Sequence, residues 1–334
     1  MPGAQAMNKK AVALLSGGLD STLAVCILKE QGVEIEAVNF QTMFGCCKDD
    51  ARRVAYELGV PFTLLKVGDD YLKVIEKPKY GYGRGVNACV DCRIYMFVMA
   101  KKLMEQTGAS FLITGEVLGQ RPMSQKLNDF RTIESDSGLG GRIVRPLSAK
   151  RLPPSEPEKA GFIDRSKLFD IEGRSRARLL ELACRYGIEN PPSPSAGCAL
   201  TATGFAKKVR DVFQHHPDYE RWEFEILKMG RHFRLDDETK VVVAREHSQN
   251  EYLEYLHPKG TILLSCKNFA GPHPLVIGRK TEYNLQKAAG LILRYSQKPL
   301  PEVCELQAEH EGALEILTAM KEADAAALEG MRIA

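Results

Sequence analysis

The chain has 334 residues, which exceeds the usual size of one domain and predicts two or three compact units. Its 44% hydrophobic and 27% charged residues exclude a disordered chain, and no apolar run approaches the roughly 20 residues that span a bilayer. The net charge of +3 is too small to indicate a partner. No secretory signal precedes Ala11, so we expect a cytoplasmic protein without a membrane partner.

The first part of the chain alternates strand-like and helix-like segments. The patterns predict strands at Ala11–Leu15, Glu34–Phe40, Pro61–Val67 and Ser110–Thr114, and helices at Ser21–Gln31, Lys48–Leu58 and from Cys89 or Cys92 to Met104. Such alternation favours an α/β fold, a parallel sheet with helices on both faces.

The later part is less regular. Residues 134–161 are rich in Gly, Pro and charge and are expected to be largely loop, and a helix is expected at Ser175–Tyr186. We place a domain boundary near 200–206, dividing a catalytic domain at 1–203 from a smaller α+β domain at 204–334. The pattern at Glu305–Ala334 predicts an amphipathic helix pair.

A glycine pair connects the first predicted strand to the first predicted helix, in the string "SGGLDS". Amides at such a helix start bind anions, because glycine lets a phosphate approach the backbone and the helix dipole favours negative charge. Asp20 would repel a phosphate unless a divalent cation lies between them, and it could instead cap the helix. A tight turn with an Asp or Ser cap is the structural alternative.

In this strand-to-helix context, "SGGLDS" resembles the pyrophosphate-binding loop of the PP-loop (N-type) ATP pyrophosphatases, whose fold is adenine nucleotide alpha hydrolase-like. The resemblance implies cleavage of ATP to AMP and pyrophosphate, with AMP transiently attached to the oxygen that leaves. It implies ATP contacts from five residues of the loop, with Asp20 positioning Mg²⁺ or the phosphates: Ser16, Gly17, Gly18, Asp20 and Ser21.

Nine cysteines in a chain without a secretory signal argue against a disulfide framework. Cys89 and Cys92 form "CVDC" at a helix start, and Cys198 lies in "SAGCAL". Two such thiolates can face one metal or each other. Zinc usually takes four ligands, whereas three cysteines suit a [4Fe-4S] cluster with one open iron. We read Cys26, Cys184 and Cys266 as small buried residues.

The strings "CVDCRIYM" and "LITGEVLGQRPMSQ" resemble the corresponding block of the tRNA 4-thiouridine synthetases, and the cysteine pattern resembles the cluster-dependent tRNA thiolation enzymes. This resemblance covers roughly residues 10–200. It implies a cluster on Cys89, Cys92 and Cys198, and nucleotide contacts from further residues of the matched block: Asn39 and Phe40 near adenine, Gly115 beside the nucleotide, and Gly119, Gln120, Ser124 and Gln125.

The activity that this resemblance implies is ATP-dependent tRNA sulfurtransfer. A uridine carbonyl oxygen is adenylated and then replaced by sulfur, which comes from sulfide or a persulfide carrier. Cys46 or Cys47 in "FGCC" could relay persulfide, or both could be neutral loop residues. A rival mechanism uses Cys198 or Cys47 as the persulfide carrier. The alternatives are an amide ligase of the same superfamily acting on a small carboxylate, and a non-catalytic RNA-binding module.

Two features suggest where tRNA binds. Residues 142–210 contain fourteen Lys and Arg against seven Asp and Glu, which favours phosphate contacts. The segment from "VVVAREHS" to "GPHPLVIG", with His273 in its turn, resembles the RNA-binding domain of the NFACT family. That domain would replace the RNA-binding region that the synthetases carry in front of the catalytic domain, since about ten residues precede the first strand here. The sequence leaves open whether the protein forms a homodimer.

Overall fold

We analysed a computed structural model, which describes residues 7–45, 49–192, 197–319 and 325–334. The chain divides into two compact units, Met1–Ala199 and Leu200–Ala334. Each unit has hydrophobic cores of its own, and each is described by itself.

The N-terminal unit is built on five parallel strands in the order β3-β2-β1-β4-β5. The strands are β1 (Lys10–Leu14), β2 (Glu34–Gln41), β3 (Phe62–Lys66), β4 (Phe111–Ile113) and β5 (Ile143–Val144). The helices are α1 (Leu19–Glu30), α2 (Asp49–Glu57), α3 (Asp70–Glu76), α4 (Cys89–Thr107), α5 (Leu127–Ser137), α6 (Glu156–Lys159) and α7 (Ala177–Arg185).

Strand β1 lies in the middle of this sheet and is buried on both sides. Ala11 and Ala13 pack into a core shared with α1, whereas Val12 packs into a second core shared with α4. Both faces of the sheet are therefore covered by helices, and the predicted α/β fold class is confirmed.

The expectation of loop across residues 134–161 is only partly right. Helix α5 reaches Ser137, and Ile143 and Val144 form the fifth strand, paired with Leu112 and Ile113. A two-residue strand carries no detectable alternation, so only its pairing with β4 makes it a strand.

The C-terminal unit contains a six-stranded antiparallel sheet in the order β11-β10-β8-β9-β7-β6. Its strands are β6 (Arg231–Arg234), β7 (Lys240–Val243), β8 (Ile262–Cys266), β9 (Leu275–Ile277), β10 (Cys304–His310) and β11 (Ala313–Ala319). Its helices are α8 (Thr203–His215), α9 (Arg221–Glu225), α10 (His247–Leu256), α11 (Glu282–Tyr295) and α12 (Ala325–Gly330). This unit is the expected smaller α+β fold.

The predicted helix pair at Glu305–Ala334 is wrong, because most of this segment is the hairpin of β10 and β11. Cys304, Leu306 and Ala308 are buried at every second position, which is the period of a strand. Glu311 and Gly312 turn the hairpin with φ of 51° and 81°. The alanine and glutamate content favoured a helix, but pairing with β8 outweighs that propensity.

Among the helices of the described residues, none is both long enough and apolar enough to cross a membrane.

Candidate nucleotide and thiol site

The glycine loop, residues 16–21, leaves β1 and enters α1. Gly17 has φ of 80°, and a Cβ there would lie 2.7 Å from the Cβ of Asp50, so only glycine fits between β1 and α2. Gly18 is the residue before α1 and has no side chain to cap the helix amides. The loop therefore presents the start of α1 as an anion-binding position.

Hydroxyl groups brace the glycine loop from inside. Ser21 Oγ donates to the Gly18 carbonyl oxygen at 2.8 Å and accepts from the Ser16 amide at 3.2 Å. Thr22 Oγ1 donates to the same Gly18 oxygen at 3.0 Å. These bonds fix the loop geometry before any ligand binds, which reduces the ordering cost of binding.

Asp20 does not cap α1. Its Oδ2 accepts from Gln120 Nε2 at 3.0 Å, which joins the glycine loop to the segment after β4. That segment is closed by its own bonds, since the Gly119 amide donates to the Gln125 carbonyl oxygen at 2.7 Å. Ser124 and Gln125 are each 2% exposed, so they support the segment from within.

Gly115 packs directly against the glycine loop. A Cβ at this position would lie 2.4 Å from the Ser21 amide nitrogen and 2.5 Å from the Asp20 carbonyl oxygen. The end of β4 therefore touches the start of α1, as expected for residues at the carboxyl edge of neighbouring parallel strands.

Asn39 and Phe40, expected near adenine, lie at the end of β2. The Asn39 side-chain amide donates to the Leu15 carbonyl oxygen at 2.6 Å and so ties β2 to the start of the glycine loop. Phe40 packs partly buried against the core under α4. Asn39 therefore supports the start of the loop and Phe40 contributes to the core, neither of which the sequence pattern indicated.

Cys89 and Cys92 lie in the first turn of α4, and each sulfur has a polar neighbour. Asn87 Nδ2 donates to Cys89 Sγ at 2.9 Å, and the Tyr71 hydroxyl oxygen lies 3.1 Å from Cys92 Sγ. Tyr71 is 2% exposed and packs against Tyr95, with ring centroids 5.2 Å apart.

Burial raises the pKa of the Cys92 thiol to about 11. The hydrogen bond with Tyr71 and the positive charge of Arg93 lower this pKa and so oppose the effect of burial. The charges of Cys198 and Cys89 raise this pKa further. Burial also raises the pKa of Tyr71, and the charges of all three cysteines raise it further. The fold therefore brings Cys198 from the far end of the unit into electrostatic range of Cys92.

The thiols are near one another but do not form a closed metal site. Within the described ranges, no group of three or more His, Cys, Asp or Glu side chains has atoms positioned to hold a metal ion. The described cysteines are all thiols. The expectation that Cys184 is buried is wrong, because it is exposed on α7, and Cys26 and Cys266 are only half-buried. Cys46 and Cys47 lie outside the described residues, although Phe44 just before them packs on Tyr71 at a centroid distance of 6.3 Å.

A buried ion-pair network, missed by the sequence analysis, connects the glycine loop to the thiols. Glu116 follows Gly115 and is 2% exposed; its Oε2 lies 3.1 Å from Arg145 Nε and its Oε1 lies 3.4 Å from Arg93 Nε. Arg93 directly follows Cys92 and lowers its pKa. The only signal in the sequence was the position of Glu116 and Arg93 beside motif residues.

Many cations of the basic stretch at 142–210 are neutralised within the protein. Carboxylates pair with Arg145, Arg165 and Arg178, and Lys208 is 9% exposed with its Nζ donating to the Leu227 carbonyl oxygen. Charge counting along this stretch therefore overstates the positive surface.

In the C-terminal unit, His273 is hydrogen-bonded to two residues of α10. Its amide donates to Asn250 Oδ1 at 2.9 Å, and its Nδ1 contacts Glu254. These bonds hold the turn before β9 and give His273 a structural position.

The N-terminal unit is thus an α/β unit with a glycine loop between its central strand and its first helix. Two families match the chain in sequence: "Thiamine biosynthesis protein (ThiI)" over residues 6–150 and "NFACT protein RNA binding domain" over residues 230–329. The predicted resemblances to the tRNA 4-thiouridine synthetases and to the NFACT RNA-binding domain are therefore confirmed.

Curated relatives match parts of the chain. It is 37% identical over 127 residues to the tRNA-specific 2-thiouridylase MnmA of Clostridium acetobutylicum, covering 33% of this chain and 36% of that protein. It is 33% identical over 229 residues to MnmA of Clostridioides difficile, covering 61% of this chain and 59% of that protein. The chain thus spans 36% and 59% of the length of these two relatives.

Among solved structures, a 4-thiouridine synthetase in complex with RNA and ATP matches with 24% identity and a TM-score of 0.36. The match covers 66% of this chain and 51% of that one.

Proposed function

We propose that this protein is an ATP-dependent tRNA sulfurtransferase, which adenylates a uridine carbonyl oxygen and replaces it with sulfur. The observation that carries the proposal is the connection of the glycine loop to the thiols within one unit. Gly115 packs against the Ser21 amide, and the next residue, Glu116, forms an ion pair with Arg93. The charge of Arg93 in turn lowers the pKa of Cys92. Similarity to tRNA-specific 2-thiouridylases supports the substrate class.

In this proposal the glycine loop binds the phosphates of ATP. The amides at the start of α1 and the helix dipole stabilise the pyrophosphate, and Ser16 and Ser21 keep the loop in shape. Asp20 supplies a carboxylate oxygen of the kind that Mg²⁺ prefers, held in place by Gln120. Adenine lies near Asn39 and Phe40, with Gly115 beside the nucleotide.

The reaction requires two displacements. The uridine, taken out of its stack, attacks the α-phosphorus of ATP through its carbonyl oxygen, and pyrophosphate leaves with the electron pair of the broken P–O bond. A hydrosulfide ion supplies the sulfur: it bonds to the activated carbon, and AMP leaves with the original oxygen and the electron pair of the C–O bond. Adenylation is needed because the carbonyl oxygen is otherwise a poor leaving group.

Cys89, Cys92 and Cys198 are the residues that would hold a [4Fe-4S] cluster. The donor type fits, because iron–sulfur clusters take cysteine thiolates and Asn87 offers an amide donor to the Cys89 sulfur. As they lie among the described residues, the three sulfurs do not yet form a three-ligand site, so cluster binding would have to draw them together. A cluster with three cysteine ligands supplies an open iron that can bind sulfide. The rival scheme, with Cys198 or Cys47 as persulfide carrier, needs no iron, but a second thiol must release the product by forming a disulfide with the carrier, and an external thiol reductant must restore both cysteines.

We assign tRNA docking to the C-terminal unit, on the strength of its match to an RNA-binding family over residues 230–329. The sulfur donor would be sulfide or a persulfide carrier.

The test is a paired assay on anaerobically purified protein with ATP, Mg²⁺ and sulfide. We expect pyrophosphate release with tRNA and, after digestion, a thionucleoside detected by mass in equal amount to AMP. Pyrophosphate released with a small carboxylate and ammonia instead of tRNA would identify the amide ligase. About four irons per chain would support the cluster, and full activity of metal-free protein would exclude it.

A further inference from the structure

The segment that precedes Cys89 reads "KPKYGYGRG", residues 77–85, and is called here the tyrosine loop. It contains three cations, two tyrosines and no carboxylate. Proteins bind single-stranded nucleic acid with basic side chains along the backbone and aromatic rings on which bases stack. This composition therefore suits RNA.

The backbone of the tyrosine loop is fixed on the first turn of α4. Asp91, which is 8% exposed, accepts from the amides of Lys79 at 2.7 Å and Tyr80 at 3.2 Å. The Gly83 amide donates to the Asn87 carbonyl oxygen at 2.8 Å. The loop is thus ordered by the same turn of helix that carries the two thiols.

Both tyrosine rings are anchored at their hydroxyl ends and remain exposed. Tyr80 donates to Asp136 Oδ2 at 2.7 Å, and Tyr82 lies within hydrogen-bonding distance of the carbonyl oxygens of Ile75 and Glu76. Each tyrosine is 41% exposed. Because the rings are already held, a base that stacks on them costs little side-chain entropy.

The tyrosine loop ends at the proposed reaction centre. Asn87, two residues after it, donates to the sulfur of Cys89. Tyr80 also lies on the rim of a cavity of about 570 Å³ that includes Ile94, Tyr95 and Val98, so there is space beside its ring. A uridine that reaches Cys89 therefore comes close to the end of this loop.

We propose that the tyrosine loop binds the single-stranded RNA next to the reacting uridine. Neighbouring bases stack on Tyr80 and Tyr82, and a phosphate contacts Arg84, which is exposed. Lys77 is exposed as well, but its Nζ lies 3.4 Å from Glu76 Oε1. Lys79 is paired with Asp136 at 2.7 Å and positions Tyr80. The inference rests on the proposed function, because it takes tRNA as the substrate.

The first test compares tRNA affinity of Tyr80→Leu and Tyr82→Leu with the control Tyr56→Leu, which changes a tyrosine that is 86% exposed on α2. Loss of one stacked base predicts tRNA binding weaker by roughly 10- to 100-fold. We expect unchanged ATP affinity, which shows that the unit is folded. Tyr80→Phe keeps the ring and should bind tRNA almost as tightly as the wild type.

The second test measures the salt dependence of tRNA binding by Arg84→Ala. The slope of log affinity against log salt should become shallower by about 0.7, the value for one lost phosphate contact on a single strand.

Two outcomes distinguish failure of the proposed function from failure of the tyrosine loop alone. A wild-type protein that binds no tRNA would overturn the proposed function together with this inference. A wild-type protein that thiolates tRNA, with tyrosine variants equal to Tyr56→Leu, would overturn the loop alone.

Discussion

The hydroxyl oxygen of Tyr71 lies 3.1 Å from the sulfur of Cys92. Tyr71 comes from α3 and Cys92 from the first turn of α4, so the contact joins two consecutive helices at the thiol site. The hydrogen bond lowers the pKa of a thiol that burial raises to about 11. Tyr71 therefore makes the Cys92 thiolate easier to form than burial alone would allow.

Tyr71→Phe tests this relationship while keeping the aromatic ring. We expect the pKa of Cys92 to rise by about one further unit, because a hydrogen bond to a charged group is lost. The measurement is the pH dependence of Cys92 alkylation by iodoacetamide, followed by mass spectrometry. Tyr95→Phe is the matched control, since its hydroxyl bonds Asp70 rather than a thiol. Identical pH midpoints in both variants would contradict the assignment.

The raised pKa of Cys92 also predicts how stability depends on pH. The folded protein holds the thiol proton more tightly than the unfolded chain, so this contribution is fully present below pH 9.0 and is lost as the pH rises to about 11. Urea unfolding of metal-free protein across this range should show a smaller decrease for Cys92→Val than for the wild type. An equal decrease in both proteins would show that other groups account for it.

Gly115→Ala should disable the nucleotide site. The added Cβ would lie 2.4 Å from the Ser21 amide nitrogen, so the glycine loop must shift. We expect ATP affinity to fall by at least about 10-fold, measured by calorimetry, because the amides that bind phosphate move with the loop. Gly140→Ala is the control, since a Cβ there meets no atom within 4 Å. Wild-type ATP affinity in Gly115→Ala would rule out a nucleotide beside this residue.

Cys198→Ala should separate ATP binding from thiolation. Because Cys198 acts on Cys92 but is not part of the glycine loop, we expect unchanged ATP affinity and loss of thionucleoside formation by at least about 100-fold. Cys184→Ala, which removes an exposed thiol, should retain activity. Thiolation at the wild-type rate in Cys198→Ala would remove both the cluster and the Cys198 persulfide schemes.

Asp211→Asn should destabilise the C-terminal unit. Asp211 is 7% exposed; its Oδ2 lies 2.6 Å from Arg234 Nη2 and 3.2 Å from Lys240 Nζ, and Lys240 is 1% exposed. Removing the carboxylate charge leaves the buried Lys240 and the half-buried Arg234 without their anion, which costs about 3–5 kcal/mol of unfolding free energy in urea. Glu57→Gln breaks an exposed pair with Arg53 and should cost below about 1 kcal/mol. Equal costs in the two variants would contradict this reading.

Much of the N-terminal fold was predictable, because its signals are local. The strand at β1 and the helix at α1 follow from periodicity, and the string "SGGLDS" between them indicates the loop without reference to the rest of the chain. At the end of the chain the same reasoning failed, since β10 and β11 are strands only through their pairing with each other and with β8. The composition of a segment does not indicate which distant strand its backbone will pair with.

The sequence by itself determined the alternating fold, the glycine loop and the choice of Cys89, Cys92 and Cys198, because each depends on neighbouring residues or on residue type. Only the tertiary structure decided their polar partners: Tyr71 at Cys92, Arg93 at Glu116, and the Tyr80 hydroxyl at Asp136. Such contacts join residues of different elements. They exist only once the chain has packed, when burial makes each unpaired polar group costly and so selects its partner.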